Sequence, residues 1–156
     1  VSPALRRSSG CSGKHGIQLA VIDASVIVKW FVEEENSSKA MEIRDRYISG
    51  ELRLIAPEII IFEVLNALYY KNLFSEDEMK GIGEALQSYS IELYSLEGEY
   101  RDKTIEVAFK NRITIYDAAY IGLAVVKGTF MYTADEKLKN KLTKEYKQYI
   151  RTLNEI

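Results

Sequence analysis

Leu19-Ala-Val-Ile-Asp-Ala-Ser25 is a short apolar run that ends abruptly on a carboxylate, and the reading of the whole chain turns on it. It reads as a buried strand that delivers Asp23 at its carboxyl end, facing the start of a helix. In an open α/β sheet that edge is where ligands sit, because neighbouring strands deliver their next residues into one shared crevice. Three further acids are expected at the same edge: Glu63, Asp117 and Asp135.

Outward from that stretch, short apolar runs alternate with helical patterns. A short helix is expected over Ser25–Val32, then a polar break at Glu33–Ser38, with Ser37 or Ser38 capping a helix that stops at Gly50. Leu52–Ile55 reads as a strand and Pro57 as a first helical position, opening an apolar helix through Lys71. Ser75 and Glu78 form a capping-box pattern for a helix reaching about Tyr89. Ile91–Ser95 reads as a strand, Glu99–Arg112 as a helix, and Thr114 opens another through Val126. Phe130–Thr133 is a further strand, Asp135–Leu142 a final helix and Tyr149–Leu153 a last strand. This alternation predicts an α/β fold, a three-layer α/β/α sandwich with a central, mainly parallel sheet.

Length and composition agree with one domain over 19–156. The chain has 156 residues, of which 47% are hydrophobic and 28% charged, an ordinary globular balance. Residues 1–18 are rich in Ser and Gly and carry Arg6, Arg7 and Lys14 without an acid. They read as a disordered arm or a segment carried over from expression. The rest holds 18 basic and 23 acidic side chains, so no overall basic footprint points to nucleic acid. No apolar run approaches the roughly 18–20 residues that span a bilayer. The single cysteine, Cys11, can close neither an intrachain disulfide nor a zinc site. A cytoplasmic protein is expected.

Each acid has a structural explanation beside the functional one. Asp23 can cap the helix after it. Glu63, embedded in Ile59-Ile-Ile-Phe-Glu-Val-Leu65, could be buried against a Lys or Arg, and Asn66 shares its helix face. Asp117 completes a capping-box spacing with Thr114, and Asp135 sits in a helix first turn. Taken together, four carboxylates at one crevice would repel and raise one another's pKa unless a cation lay among them. A hard divalent ion with oxygen ligands, Mg²⁺ with Mn²⁺ as substitute, is the simplest remedy. Ser25 and Thr133 add hydroxyls beside it.

Val21-Ile-Asp-Ala-Ser25, Glu63-x-x-Asn66-x-Leu68, Tyr116-Asp-Ala-Ala-Tyr120 and Thr133-Ala-Asp-x-x-Leu138 together resemble the PIN domain of VapC-type toxins, from about Leu19 to the C-terminus. The N-terminal arm has no counterpart there. The resemblance implies a metal-dependent endoribonuclease of a toxin–antitoxin pair, with Asp23, Glu63, Asp117 and Asp135 as the acidic quartet and metal ligands. Ser25 and Thr133 match the accessory hydroxyl positions. It also implies an RNA substrate, 5′-phosphate and 3′-hydroxyl products, a cognate VapB-type antitoxin whose tail enters the acidic groove, and a homodimer.

Cations able to meet RNA phosphates are sought at Lys29, Arg112, Lys137, Lys139 and Lys141, for each of which a solvated helix face is the plainer explanation. The apolar helices around Ile59–Leu68 and Met79–Leu86 are expected to supply a dimer or antitoxin contact. Other acid-pocket chemistries fit less well. An aspartyl phosphatase wants an acid where Ser25 stands, and a phospho-receiver wants adjacent acids at the first strand. A two-histidine ribonuclease fits poorly with a single His, His15, in the arm. The remaining alternative is a catalytically silent module of the same fold that binds RNA or protein.

Overall fold

The structure, a computed structural model, describes residues 16–156. Most of the expected arm, with Cys11 and His15, lies outside the described residues. The stretch from Gln18 to Ile22 forms β1, and the consecutive Ala20, Val21 and Ile22 are all fully buried. A strand buried on alternate and intervening positions alike is covered on both faces, the pattern of a parallel sheet. β1 pairs in parallel with β2 (Leu52–Pro57) on one side and β4 (Met131–Thr133) on the other. β3 (Glu92–Tyr94) extends the sheet beyond β2, and β5 (Ile150–Thr152) beyond β4. The order is β3-β2-β1-β4-β5, every pair parallel.

Helices cover this sheet in an α/β/α sandwich. α1 (Ala24–Val28), α2 (Ser37–Ile48), α3 (Ile60–Tyr70) and α4 (Glu76–Ser88) precede β3. α1 packs on α3, and α3 on α4. α5 (Gly98–Asn111) pairs with α6 (Ile115–Val126), and α6 lies along β1, β2 and β4. α7 (Glu136–Lys141) and α8 (Lys144–Lys147) lead to β5 and a closing 3-10 turn, Leu153–Glu155. Among the described residues no helix is long and apolar enough to cross a membrane.

This topology puts a crevice between β1 and β4. From β1 the chain goes on to β2 and β3, whereas from β4 it goes to β5 on the opposite side. The two strands therefore flank the switch point at which an open α/β sheet binds ligands. Ile22 stands opposite Tyr132, and the Asp23 N–H donates to the Tyr132 carbonyl at 3.1 Å. The next residues of the two strands, Asp23 and Thr133, so emerge side by side.

α5 and α6 approach each other closely at Gly122. A Cβ there would lie 2.6 Å from Thr104 Oγ1 and 3.0 Å from Thr104 Cα, so turning the threonine side chain would not clear it. Gly122→Ala is expected to lower stability by about 1–3 kcal/mol in urea denaturation, the usual cost of overpacking. A variant as stable as the parent would contradict this packing.

The local expectations need four corrections. Pro57 ends β2, paired with Tyr94, and does not open α3, which starts at Ile60. The ladder to β3 outweighs the local preference of proline for a first helical position. Neither Ser37 nor Ser38 caps α2: Asn36, at φ 66°, holds that position. Ser37 is buried inside the first turn, donating to the Val32 carbonyl at 3.0 Å and accepting from the Glu34 N–H at 2.9 Å. The first helix stops at Val28, not Val32. The helix after β4 is not the final one, since α8 and the 3-10 turn follow. The capping box of Ser75 and Glu78 forms as expected.

Candidate active site

Asp23 occupies the N-cap position of α1, yet its side chain makes no capping hydrogen bond. Two hydroxyls hold it instead. Thr133 Oγ1 and Ser25 Oγ both donate to Asp23 Oδ2, at 2.7 and 2.9 Å. Each hydroxyl oxygen is itself fixed by a backbone donor: Ala134 N–H reaches Ser25 Oγ at 2.9 Å, and Asp135 N–H reaches Thr133 Oγ1 at 3.0 Å. Thr133 is fully buried. The network ties the turn after β1 to the turn after β4 and leaves Asp23 Oδ1 outside it.

Asp135 caps α7, its Oδ1 accepting from the Leu138 N–H at 3.0 Å. Thr114 caps α6 by accepting from the Asp117 N–H at 3.0 Å; the return bond that would complete a capping box is not formed. Glu63 lies on α3, and no Lys or Arg pairs with it among the described residues. Its Oε1 accepts a hydrogen bond from the Tyr120 hydroxyl at 2.5 Å.

The electrostatics record these acids as neighbours. Burial pushes the Asp23 carboxyl above its ordinary range; the two hydroxyl donors oppose this and the Asp117 charge adds to it. Burial also raises Glu63, with Tyr120 opposing and the charges of Asp23 and Asp117 adding. Burial and the charge of Asp135 raise Asp117, while Lys141 and Thr114 pull it down. Tyr120 is pushed far up by burial, then by the charge of Asp23 and the bond to Glu63. Asp23 keeps some exposed surface, but protein crowds its carboxylate on most sides, and the upward shift follows that crowding. Among the described residues, no three acidic side chains are drawn together tightly enough to cage a cation as they stand. They act on one another pairwise.

The remaining candidates divide. Asn66 is exposed and lines an apolar depression with Ile61, Phe62, Leu65, Tyr69 and Met79, apart from the hydroxyl network. Lys29 and Lys71 both pair with Glu34, at 3.2 and 3.0 Å, and Lys139 pairs with Glu155 at 2.8 Å. Arg112 is the exposed left-handed cap that ends α5, and Lys137 is exposed on α7. Lys141 is the one of these cations whose charge acts on a site acid, Asp117. The residue that sequence reasoning does not single out is Tyr120. Its signal is its position three residues after Asp117, on the same face of α6.

Residues 20–141 match the PIN domain family model. Ribonuclease VapC3 of Pyrobaculum aerophilum is 32% identical over 126 residues, covering 78% of this chain and 92% of that protein. The chain belongs to the PIN-domain family, VapC type. A toxin–antitoxin complex from Klebsiella pneumoniae superposes on this PIN domain with a TM-score of 0.61 at 13% identity, covering 88% of this chain and 99% of that one. Mycobacterium tuberculosis VapC20, a sarcin–ricin-loop-cleaving toxin, gives 0.60 at 11% identity, covering 79% and 94%. At such identities these two likenesses establish the fold alone. The matched stretch of the PIN domain contains all four acids and both hydroxyl residues.

Proposed function

We propose that this PIN domain is an endoribonuclease that hydrolyses RNA phosphodiester bonds with a bound divalent cation, Mg²⁺ with Mn²⁺ as substitute, and acts in the cytoplasm as the toxin of a toxin–antitoxin pair. The observation that supports it is Asp23, fixed by two hydroxyls at the β1–β4 switch point, together with the upward shifts that Asp23, Glu63 and Asp117 take from burial and from the charge of neighbouring acids. Such a set is all oxygen, which suits a hard cation, and its uncompensated charge is what a cation relieves. Asp23, Glu63, Asp117 and Asp135 would hold it. When bound, such an ion lowers the pKa of a coordinated water and polarises phosphoryl oxygens.

The chain's own residues supply the positioning. Ser25 and Thr133 fix Asp23 through Oδ2 and so aim Oδ1. Asp135 commits Oδ1 to the Leu138 N–H, so Oδ2 would be the oxygen offered to a cation. Glu63 keeps Oε2, and a carboxylate raised by burial is suited to accept the proton of an attacking water there. Lys141, already near Asp117, and the exposed Lys137 and Arg112 would meet RNA phosphates. The ion-paired Lys29 and Lys139 would contribute less. Phe62 and Tyr116, 73% and 60% exposed, adjoin Glu63 and Asp117 in sequence and offer stacking faces to unpaired bases.

The open apolar depression on α3 and α4 would be covered by a second copy of the chain or by a VapB-type antitoxin. VapC3 is a ribonuclease by name, and the Klebsiella relative is part of a toxin–antitoxin complex. Purified protein incubated with structured RNAs, including tRNA and ribosomal fragments, is expected to cut at least one in Mg²⁺ or Mn²⁺, and none after chelation. Binding without cleavage across such a panel would favour the silent alternative.

A further inference from the structure

We infer that Tyr120 is a positioning residue of this site: its hydroxyl holds Glu63 in the orientation from which the carboxylate serves a bound divalent cation. This rests on the nuclease reading of the four acids and deepens it.

Tyr120 is 2% exposed and belongs to the inner face of α6, which packs against β1, β2 and β4. A buried hydroxyl without a partner loses its water and gains nothing in return, so its acceptor is a structural necessity. The acceptor is Glu63 Oε1, a side chain 57 residues away on α3. Tyr100, a buried tyrosine on α5, donates to the Ala119 carbonyl at 2.8 Å and not to an acid. Of the two, Tyr120 alone directs its donor at one of the four acids.

The bond also determines how Glu63 is held. A glutamate side chain has several freely turning torsions, and fixing them costs conformational entropy. The Tyr120 hydroxyl, carried on a rigid ring locked by the core, offsets that cost before any ligand arrives. It occupies Oε1 and leaves Oε2 free to serve a cation. The Asp23 charge also acts on this hydroxyl. Bonds of this kind, from a neighbour to a metal-binding carboxylate, typically govern metal affinity or activity by about 10–100-fold.

The rival role for the bond is merely to join α6 to α3, and the two roles differ in the effect of removing it. Tyr120→Phe keeps the ring and its packing and deletes the donor, and Tyr100→Phe deletes an equivalent buried donor away from the acids. Mn²⁺ titration followed by electron paramagnetic resonance is expected to show Kd raised about tenfold or more in Tyr120→Phe and essentially unchanged in Tyr100→Phe. At saturating Mn²⁺, kcat on a cleaved RNA should fall with KM unchanged. In a Glu63→Gln background, Tyr120→Phe should add nothing further to the loss of Mn²⁺ affinity. Tyr120→Phe binding Mn²⁺ as the parent does, with melting temperature alone reduced, would overturn the inference. A parent protein that binds Mn²⁺ but cuts no RNA would overturn the nuclease reading instead, and the Mn²⁺ comparison would still decide the role of Tyr120.

Discussion

Asp23→Asn is expected to reduce RNA cleavage by about 10²–10⁴-fold while making the protein without divalent cation more stable. The two effects have one origin. In the parent, Ser25 and Thr133 both donate to Asp23 Oδ2, and an asparagine can present its amide oxygen at that position and keep both bonds. Its NH₂ group then replaces Oδ1, the oxygen that the network leaves over, so a cation ligand becomes a donor. The same change removes a negative charge that burial and Asp117 hold at a disadvantage. Relieving it should add about 1–2 kcal/mol, roughly 2–8 °C in Tm for a chain of this size. Thermal unfolding in chelator, alongside a cleavage assay in Mn²⁺, reads both. Lost activity with lowered stability would mean that Asp23 is a structural acid.

The second large effect is on the pH dependence of stability. Asp23, Glu63 and Asp117 all have folded-state pKa values raised above their ordinary range. Such groups hold more protons folded than unfolded between about pH 4 and their raised values, so the stability they contribute is lost as pH rises through those values. Glu155 works in the opposite sense. Lys139 and the Thr152 backbone hold it down at about 2, and its contribution is lost only as pH falls toward that value. The two sets of groups act in separate windows, so one does not mask the other. Without divalent cation, Tm is expected to decline as pH is raised above the ordinary carboxylate range. Mg²⁺ or Mn²⁺ should abolish that decline, because a cation stabilises the charged carboxylates, and its stabilising effect should grow with pH. Calorimetry at constant ionic strength checks this. A cation effect that is independent of pH, or equal in Asp23→Asn, would contradict it.

How much of this was legible in the sequence depends on how local each cause was. β1 could be read because few elements besides a buried strand accommodate an unbroken apolar run closed by an acid. The alternating pattern was enough to give the parallel sandwich. The helix starts at Ser75 and Thr114 were legible because capping is decided within four residues. Pro57 misleads because its place is decided by Tyr94, which lies on a strand more than thirty residues away in sequence. The lysines of α7 look alike in sequence, but Lys139 turns to Glu155 whereas Lys141 influences Asp117, a difference set by where the C-terminal turn lies. Asp23 reads equally well as a cap or as a site residue, and only the hydroxyl from the turn after β4 separates the two. Tyr120 shares a motif and a helix face with Asp117, but its role is not local, since its partner is on another helix.

The central claim is that these acids share a bound ion. Crystals soaked in Mn²⁺ and measured for anomalous scattering test it most directly. A peak is expected in the crevice between β1 and β4, with oxygens of Asp23 and at least one of Glu63, Asp117 and Asp135 within about 2.0–2.4 Å or bridged by one water. A map with Mn²⁺ only at the outer surface, and none at that sheet edge, would contradict it.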